Sequence, residues 1–308
     1  MVCDSSPDAA IDIKRRYPSA EVVLDFGDVL RSDIEAVVIA TPPATHAKLA
    51  SRALEAGKHV LVEKPIATNS TEALELCERA ESAGLVLMTD HTYCYTAAVR
   101  EIRRLFHSGE LGSMLFFDSS RINLGRIQPD VNVLWDLAPH DLSILLFVLP
   151  DGYRPIRVGA RLSDPIGYGQ PSVGHLSLEF PGGAIAQMHE SWLSPKKVRT
   201  TIIGCTKQMV LWDDLDPGTR VAVFNSGIDI PVTAGSLAPV DSVRYRIGDM
   251  VAPALPEYEA LSKMVAEFFS AIHEHRQPET DGYMGVEVLR ILEAADESTS
   301  AGGAWVDL

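Results

Sequence analysis

Three short runs of wholly apolar residues, Val22–Leu24, Ala36–Ala40 and Val60–Val62, alternate with helix-spaced segments through the first ninety residues. A strand without polar alternation is covered on both faces, and strands of that kind belong to parallel sheets. Thr45–Ala56 places Leu49, Ala50, Ala53 and Leu54 on one helical face, with Gly57 where a C-terminal cap belongs. Ser70–Ala83 repeats the pattern with Leu74, Leu76, Cys77 and Ala80; Asn69 precedes it as a cap and Gly84 ends it. Leu85–Met88 reads as a further strand. Serial strand–helix–strand connections give right-handed crossovers and a parallel sheet. The chain opens on Val2-Cys3-Asp4, read as a strand end, and a helix from Pro7 to Tyr17.

The pattern changes after about residue 92. Ala97–His107 reads as a helix ending at Gly109, Met114–Ser119 as a strand and Asp136–Leu149 as a helix. Alternating strands follow without helices between them: 156–162, 173–180, 184–192, 198–203, 209–212 and 221–224. Two helices, 257–273 and 284–298, come last. The expectation is therefore a parallel α/β domain over residues 1–92 and a mostly antiparallel, open-sheet α+β domain over residues 93–308, a division that the length of 308 residues suits.

Composition narrows the function. Lys and Arg total 27 against 42 Asp and Glu, a net charge of −15, which a nucleic-acid backbone would repel. The longest apolar run, Leu142–Leu149 broken by Ser143, is too short to span a membrane. Cys3, Cys77, Cys94 and Cys205 are widely spaced and form no C-x-x-C pair, so a zinc or iron–sulfur cage is not expected, and no metal site is assigned. No secretory-type segment is read at the N-terminus, and a reduced, cytoplasmic protein is the expectation.

Three stretches carry chemistry. Glu63-Lys64-Pro65 follows the strand 59–62, and ligands of open α/β sheets bind at the carboxyl ends of strands. Pro65 biases Lys64 away from helical geometry. A partly desolvated lysine at a strand tip is a usable acid or base near neutrality, whereas a solvated one is a surface pair at a turn. Thr41-Pro42-Pro43, with His46, ends the preceding strand; this stiff turn reads either as a plain loop or as a platform for a flat ring. Asp136 and His140 stand four apart and share a helix face. If Pro139 lies in the first turn, His140 sits near a helix N-terminus, which favours neutral imidazole. Asp136 then either caps the helix or orients the imidazole.

In this order and spacing the three stretches resemble the Gfo/Idh/MocA family of NAD(P)-dependent sugar and polyol dehydrogenases. The family's Thr-Pro-x-x-x-His loop appears as Thr41, Pro42 and His46, its Glu-Lys-Pro as Glu63-Lys64-Pro65, and its Asp-x-x-x-His as Asp136 and His140. Ser191-Trp192 and Gly302-Gly303 also look like that family. The resemblance implies a Rossmann-like dinucleotide-binding domain followed by a substrate-binding and oligomerisation domain. It implies that Lys64 and His140 share proton transfer at a sugar hydroxyl, that Asp136 orients substrate and imidazole, and that Asp4, Thr41, Pro42, His46, Glu63 and Lys64 line the cofactor. An acidic residue at the position of Asp4 would bind the adenosine ribose, so NAD is favoured over NADP. In the family a first strand, glycine-rich turn and first helix, roughly 30 residues or most of one βαβ unit, precede the strand matched by Val2-Cys3. No G-x-G-x-x-G occurs in the sequence. The expectation is thus an N-terminally incomplete dinucleotide domain, from a start set too late or a true truncation.

On the substrate side, Tyr93, Tyr95, Asn123 and Arg126 precede the Asp-His helix and are candidate contacts for a sugar-type substrate. Lys196-Lys197-x-Arg199, taken as a strand edge, reads either as a site for a carboxylate or phosphate, with Lys196 and Arg199 as contacts, or as a solvated turn. The broad alternating sheet predicts a homodimer or homotetramer formed through its open face. Two other functions compete: a non-catalytic relative, sensor or subunit, that has lost the cofactor, and an NAD-dependent glycosidase.

Overall fold

The apolar runs of the first ninety residues form parallel strands. The elements are β1 (Val2–Cys3), α1 (Pro7–Arg16), β2 (Val22–Val23), α2 (Phe26–Arg31), β3 (Ala36–Ile39), α3 (His46–Glu55), β4 (His59–Glu63), α4 (Ser70–Ser82) and β5 (Leu87–Asp90). In this computed structural model, which describes residues 1–229 and 243–308, β3, β4 and β5 form a three-stranded parallel sheet with β4 central. Strands β1 and β2 pair in parallel as a separate sheet. Val60, Leu61 and Val62 of β4 are fully buried, because α3 contributes Ala50, Ala53 and Leu54 to this core and α4 contributes Ala73, Leu76 and Cys77. Asn69 caps α4 as expected, accepting from the Glu72 amide at 2.9 Å. Gly57 and Gly84 turn the chain out of α3 and α4 with φ of 71° and 65°, a conformation that favours glycine. Helix α2 was not expected; six residues hold too few turns to show a period.

The rest of the chain comprises a 3-10 turn (Thr92–Tyr95), α5 (Ala97–His107), β6 (Met114–Leu124), α6 (Val133–Val148), β7 (Arg157–Ser163), β8 (Val173–Glu179), β9 (Ile185–Ser191), β10 (Leu193–Cys205), β11 (Met209–Asp213), β12 (Val221–Asp229), β13 (Arg244–Val251), α7 (Ala260–Glu274), α8 (Gly282–Ser300) and β14 (Val306–Asp307). Contacts group Met1–Asp90 with Val265–Val286 as one unit, and His91–Met264 with Glu287–Leu308 as a second. Among the described residues of the second unit, nine strands form one sheet in the order β13-β12-β11-β10-β6-β9-β8-β7-β14. Every pair is antiparallel except β6 with β9. The sheet is mostly antiparallel, as the alternation predicted. The parallel pair was not foreseen, because it joins strands some 70 residues apart in sequence.

Helix α6 is buried almost all round. It packs on β8 and β9 on one side and on α5 on the other, where Val99, Ile102, Leu105 and Phe106 form the apolar stripe. Each such large apolar side chain taken from water contributes about 1.5–3 kcal/mol. The helix begins at Val133, not at Asp136. Asn132 is the N-cap, its side chain accepting from the amides of Leu134 and Trp135 at 3.0 and 3.1 Å. Its start is fastened to α8, where Trp135 Nε1 donates to Asp296 at 2.8 Å. Pro139 therefore lies inside the helix rather than in its first turn. No helix among the described residues is long and apolar enough to cross a membrane.

Candidate active site

In the first unit, the tips of two adjacent strands carry the expected residues. Ile39 of β3 is in register with Val62 of β4, so the Thr41–Pro42 turn and the Glu63–Lys64 pair leave the sheet side by side. His46, only 1% exposed, ties them together: Nε2 meets the Thr41 carbonyl and Nδ1 the Pro65 carbonyl, each at 2.7 Å. His46 thus fastens the two loops to each other, and its ring is spent on that task rather than presented to a ligand. Thr41 Oγ1 lies 2.6 Å from Thr45 Oγ1, which in turn donates to the Pro42 carbonyl. Glu63 is half-buried beside Asp90, its register partner on β5. Burial first, and then the Asp90 carboxylate, push the Glu63 carboxyl above its ordinary pKa, while Lys64 acts in the opposite sense. Lys64 is half-exposed at the tip of β4, and its peptide bond to Pro65 is cis. Asp4 follows β1, and its carboxylate accepts from the Ser6 amide at 2.8 Å.

In the second unit, Asp136 and His140 lie on α6, half-buried. His140 is two turns into the helix, so the argument from the helix N-terminus, whose field fades within the first turn, does not apply to it. Asp136 does not cap the helix. Its Oδ2 accepts from Trp192 Nε1 at 3.1 Å, which holds the carboxylate in place. Trp192 follows β9 and is itself pressed against Gly125, where a Cβ would come within 2.9 Å of Cδ1; only glycine allows that approach. Tyr93, on the 3-10 turn, meets the His140 ring edge-on.

The remaining substrate candidates separate. Tyr95 is fully buried under the Arg100 guanidinium and against Phe147, so it is a core residue and not a substrate contact. Asn123 is half-buried at the end of β6, and Arg126 is exposed just beyond it. Lys196 and Lys197 are exposed, but they sit at a bulge of β10, an interior strand, rather than at a sheet edge. Arg199 does not join them. It pairs with Asp214 at 3.4 Å and reaches over the Tyr93 ring at 5.7 Å.

Sequence reasoning missed a buried ionic cluster beneath α6. Arg121 of β6 and Glu190 of β9 are register partners, and Asp141 of α6 faces both. Arg121 holds Asp141 with Nη2 at 2.6 Å and Nε at 3.2 Å from each oxygen, and its guanidinium lies 4.6 Å over the Tyr93 ring. Burial alone would lower the Arg121 pKa, but Asp141 outweighs it and keeps the cation. The available signal was parity: in the strand 184–192, Ala184, Ala186, Met188, Glu190 and Trp192 share the inward side, and a glutamate there is out of place unless it has partners.

Comparison with known proteins agrees with these features. Residues 1–91 match the GFO/IDH/MocA model, an oxidoreductase family with an NAD-binding Rossmann fold, and residues 99–210 match the GFO/IDH/MocA C-terminal domain. The chain is 29% identical over 300 residues to 1,5-anhydro-D-fructose reductase from Ensifer adhaerens, spanning 88% of this chain and 79% of that protein. It is 27% identical over 282 residues to UDP-N-acetylglucosamine 3-dehydrogenase from Acidithiobacillus ferrooxidans, spanning 89% and 80%. An inositol dehydrogenase homolog from Azotobacter vinelandii, solved with NADH and myo-inositol, shares the fold with a TM-score of 0.79 at 21% identity, over 99% of this chain and 88% of that one.

Proposed function

The chain belongs to the GFO/IDH/MocA family of oxidoreductases, and from that membership we propose that it moves a hydride between a nicotinamide cofactor and a hydroxyl-bearing carbon of a sugar, sugar acid, sugar nucleotide or polyol. Relatives named as reductases or dehydrogenases of anhydrofructose and of UDP-N-acetylglucosamine support that substrate class. The observation that carries the reading is the pair of loops at the tips of β3 and β4, held together by His46, which presents Thr41, Pro42, Glu63 and Lys64 from one end of a parallel sheet.

The donor set suits the ribose and nicotinamide ends of the cofactor. The Asp4 carboxylate would accept from ribose hydroxyls and repel a 2′-phosphate, which favours NAD over NADP. Thr41 and Pro42 offer a hydroxyl and a flat apolar surface, and Glu63 a carboxyl that burial and Asp90 keep easier to protonate than usual. When bound, the cofactor supplies the hydride acceptor or donor. The chain's own residues handle the proton. As a substrate hydroxyl becomes a carbonyl, its O–H proton passes to Lys64 or His140, and in the reverse direction returns from them. Asp136, fixed by Trp192, accepts a hydrogen bond from the substrate and orients it. Asn123 and Arg126, at the end of β6, are further substrate contacts.

A panel of sugars, sugar acids and polyols with NAD, followed by the absorbance of reduced nicotinamide, tests this reading. Oxidation of at least one member is expected. Cleavage of a chromogenic glycoside with no net reduction of NAD would favour the glycosidase instead, and failure of both would favour a non-catalytic relative.

A further inference from the structure

Glu190 has no evident reason to be where it is. It is wholly buried, and neither carboxyl oxygen meets a hydrogen-bond donor among the described residues. Asp141 and Asp136 face it from α6 and Arg121 from β6, while its register partner on β8 is Gly174. Counting charge settles its state. Arg121 and Asp141, 6% and 3% exposed, already neutralise each other. A second carboxylate in the same enclosure would be an uncompensated buried charge, which is ordinarily avoided by taking up a proton. With that proton, Glu190 gains the donor it lacks, and Asp141 is the acceptor beside it.

The cluster leads outward to the candidate acid–base group. Asp141 grips Arg121 in a forked contact, Arg121 lies over the face of Tyr93, and Tyr93 meets His140 edge-on. We propose that Glu190 is a positioning residue: as a neutral acid donating its O–H to Asp141, it fixes the carboxylate that holds Arg121 over Tyr93, and through Tyr93 it sets the pose of His140. A neutral Gln at 190 satisfies the same demand, since its amide also donates to Asp141. An apolar residue of similar size does not. The inference draws its meaning from the role given to His140, but it is tested on the resting protein without any substrate, so it stands or falls apart from the choice of substrate class.

The experiment compares wild type, Glu190→Gln and Glu190→Leu by infrared spectroscopy and by NMR of the imidazoles, with His140 assigned from the signal lost in His140→Ala. At neutral pH the wild type should show a carboxylic-acid C=O stretch that disappears in Glu190→Gln. The His140 signal and its pH titration should be unmoved in Glu190→Gln and displaced in Glu190→Leu. Absence of the acid band in wild type overturns the proposal. So does a His140 signal that moves equally in both variants, or in neither. Should Glu190→Leu fail to fold, Glu190→Gln decides alone: loss of the band with His140 unmoved supports the proposal, and a displaced His140 overturns it.

Discussion

Tyr93 meets the imidazole of His140 edge-on, with ring centroids 5.0 Å apart and planes inclined at 64°. The contact places the positive ring edge of one group against the π-face of the other, a preferred aromatic geometry. It also gives His140 a wall on one side, so the ring is aimed rather than free to turn. Tyr93→Leu removes that wall and should lower kcat/KM about 10–100-fold, the cost of misplacing a reacting group by about an ångström. Tyr93→Phe keeps the ring and should lose much less. Equal losses in the two variants, measured on the best-oxidised panel member, would transfer the role from the ring to the hydroxyl.

Glu190 gives stability a predictable pH dependence. Burial first, then Asp141, push its pKa well above the ordinary 4.5 in the folded protein. The folded state therefore keeps a proton that the unfolded chain gives up. Stability from this group is fully present below the unfolded pKa and declines as pH rises toward the folded one, by up to about 1.36 kcal/mol per pH unit. Glu190→Gln has no proton to lose. Its melting temperature relative to wild type should rise as pH climbs above the ordinary glutamate range, where the unfolded chain has lost the proton that the folded one keeps. A difference that stays flat or falls in thermal scans would show that Glu190 ionises normally.

The parts legible in the sequence were those with a local period. Strand β4 and helices α3 and α4 announced themselves because Val60–Val62 is wholly apolar and because Leu49, Ala50, Ala53 and Leu54 repeat at helical spacing. The start of α6 was misplaced, since Pro139 suits a first turn, while the actual cap, Asn132, precedes a stretch with little period because the helix is buried on nearly every side. Tyr95 looked like a polar contact because a sequence does not say which side of a short 3-10 turn faces the core. The Arg121–Asp141–Glu190 cluster spans residues 20 to 69 positions apart, brought together only by the β6–β9 register and the seat of α6. No local pattern encodes that meeting.

A polypeptide of these 308 residues should bind NAD weakly. Diphosphates favour helix N-termini with free amides. The start of α1 is poorly furnished with them: Pro7 has no N–H, Ser6 Oγ accepts from the Ala9 amide, and the Asp4 carboxylate already accepts from the Ser6 amide. That carboxylate would also repel the diphosphate. Calorimetric titration should give a dissociation constant weaker than micromolar. Micromolar or tighter binding would place the diphosphate elsewhere in the first unit.

The outer face of the nine-stranded sheet should pair with a second copy. Ile202, Asp118, Gln187 and Ser177 form one row across four adjacent strands, and Thr200, Ser120, His189 and His175 form another two residues along. His175 and His189 stack at 4.4 Å, and burial, followed by the neighbouring His175, lowers the His189 pKa. The face is broad and only partly polar, and two-fold pairing is the commonest way to cover such a surface. Light scattering at micromolar concentration should report at least a dimer. A species of 33.5 kDa alone would contradict this.

Lys64, at the tip of β4, is the group proposed to move the proton of an oxidised sugar or polyol hydroxyl. Steady-state NAD reduction at millimolar cofactor, comparing wild type with Lys64→Met on the best-oxidised panel member, tests it most directly. A positioned acid–base group contributes about 10²–10⁴-fold in rate, and a loss of that size in kcat/KM, with the far-ultraviolet circular dichroism and melting temperature unchanged, is predicted. A loss of less than about tenfold, well below that range, would remove Lys64 from the chemistry and the account with it.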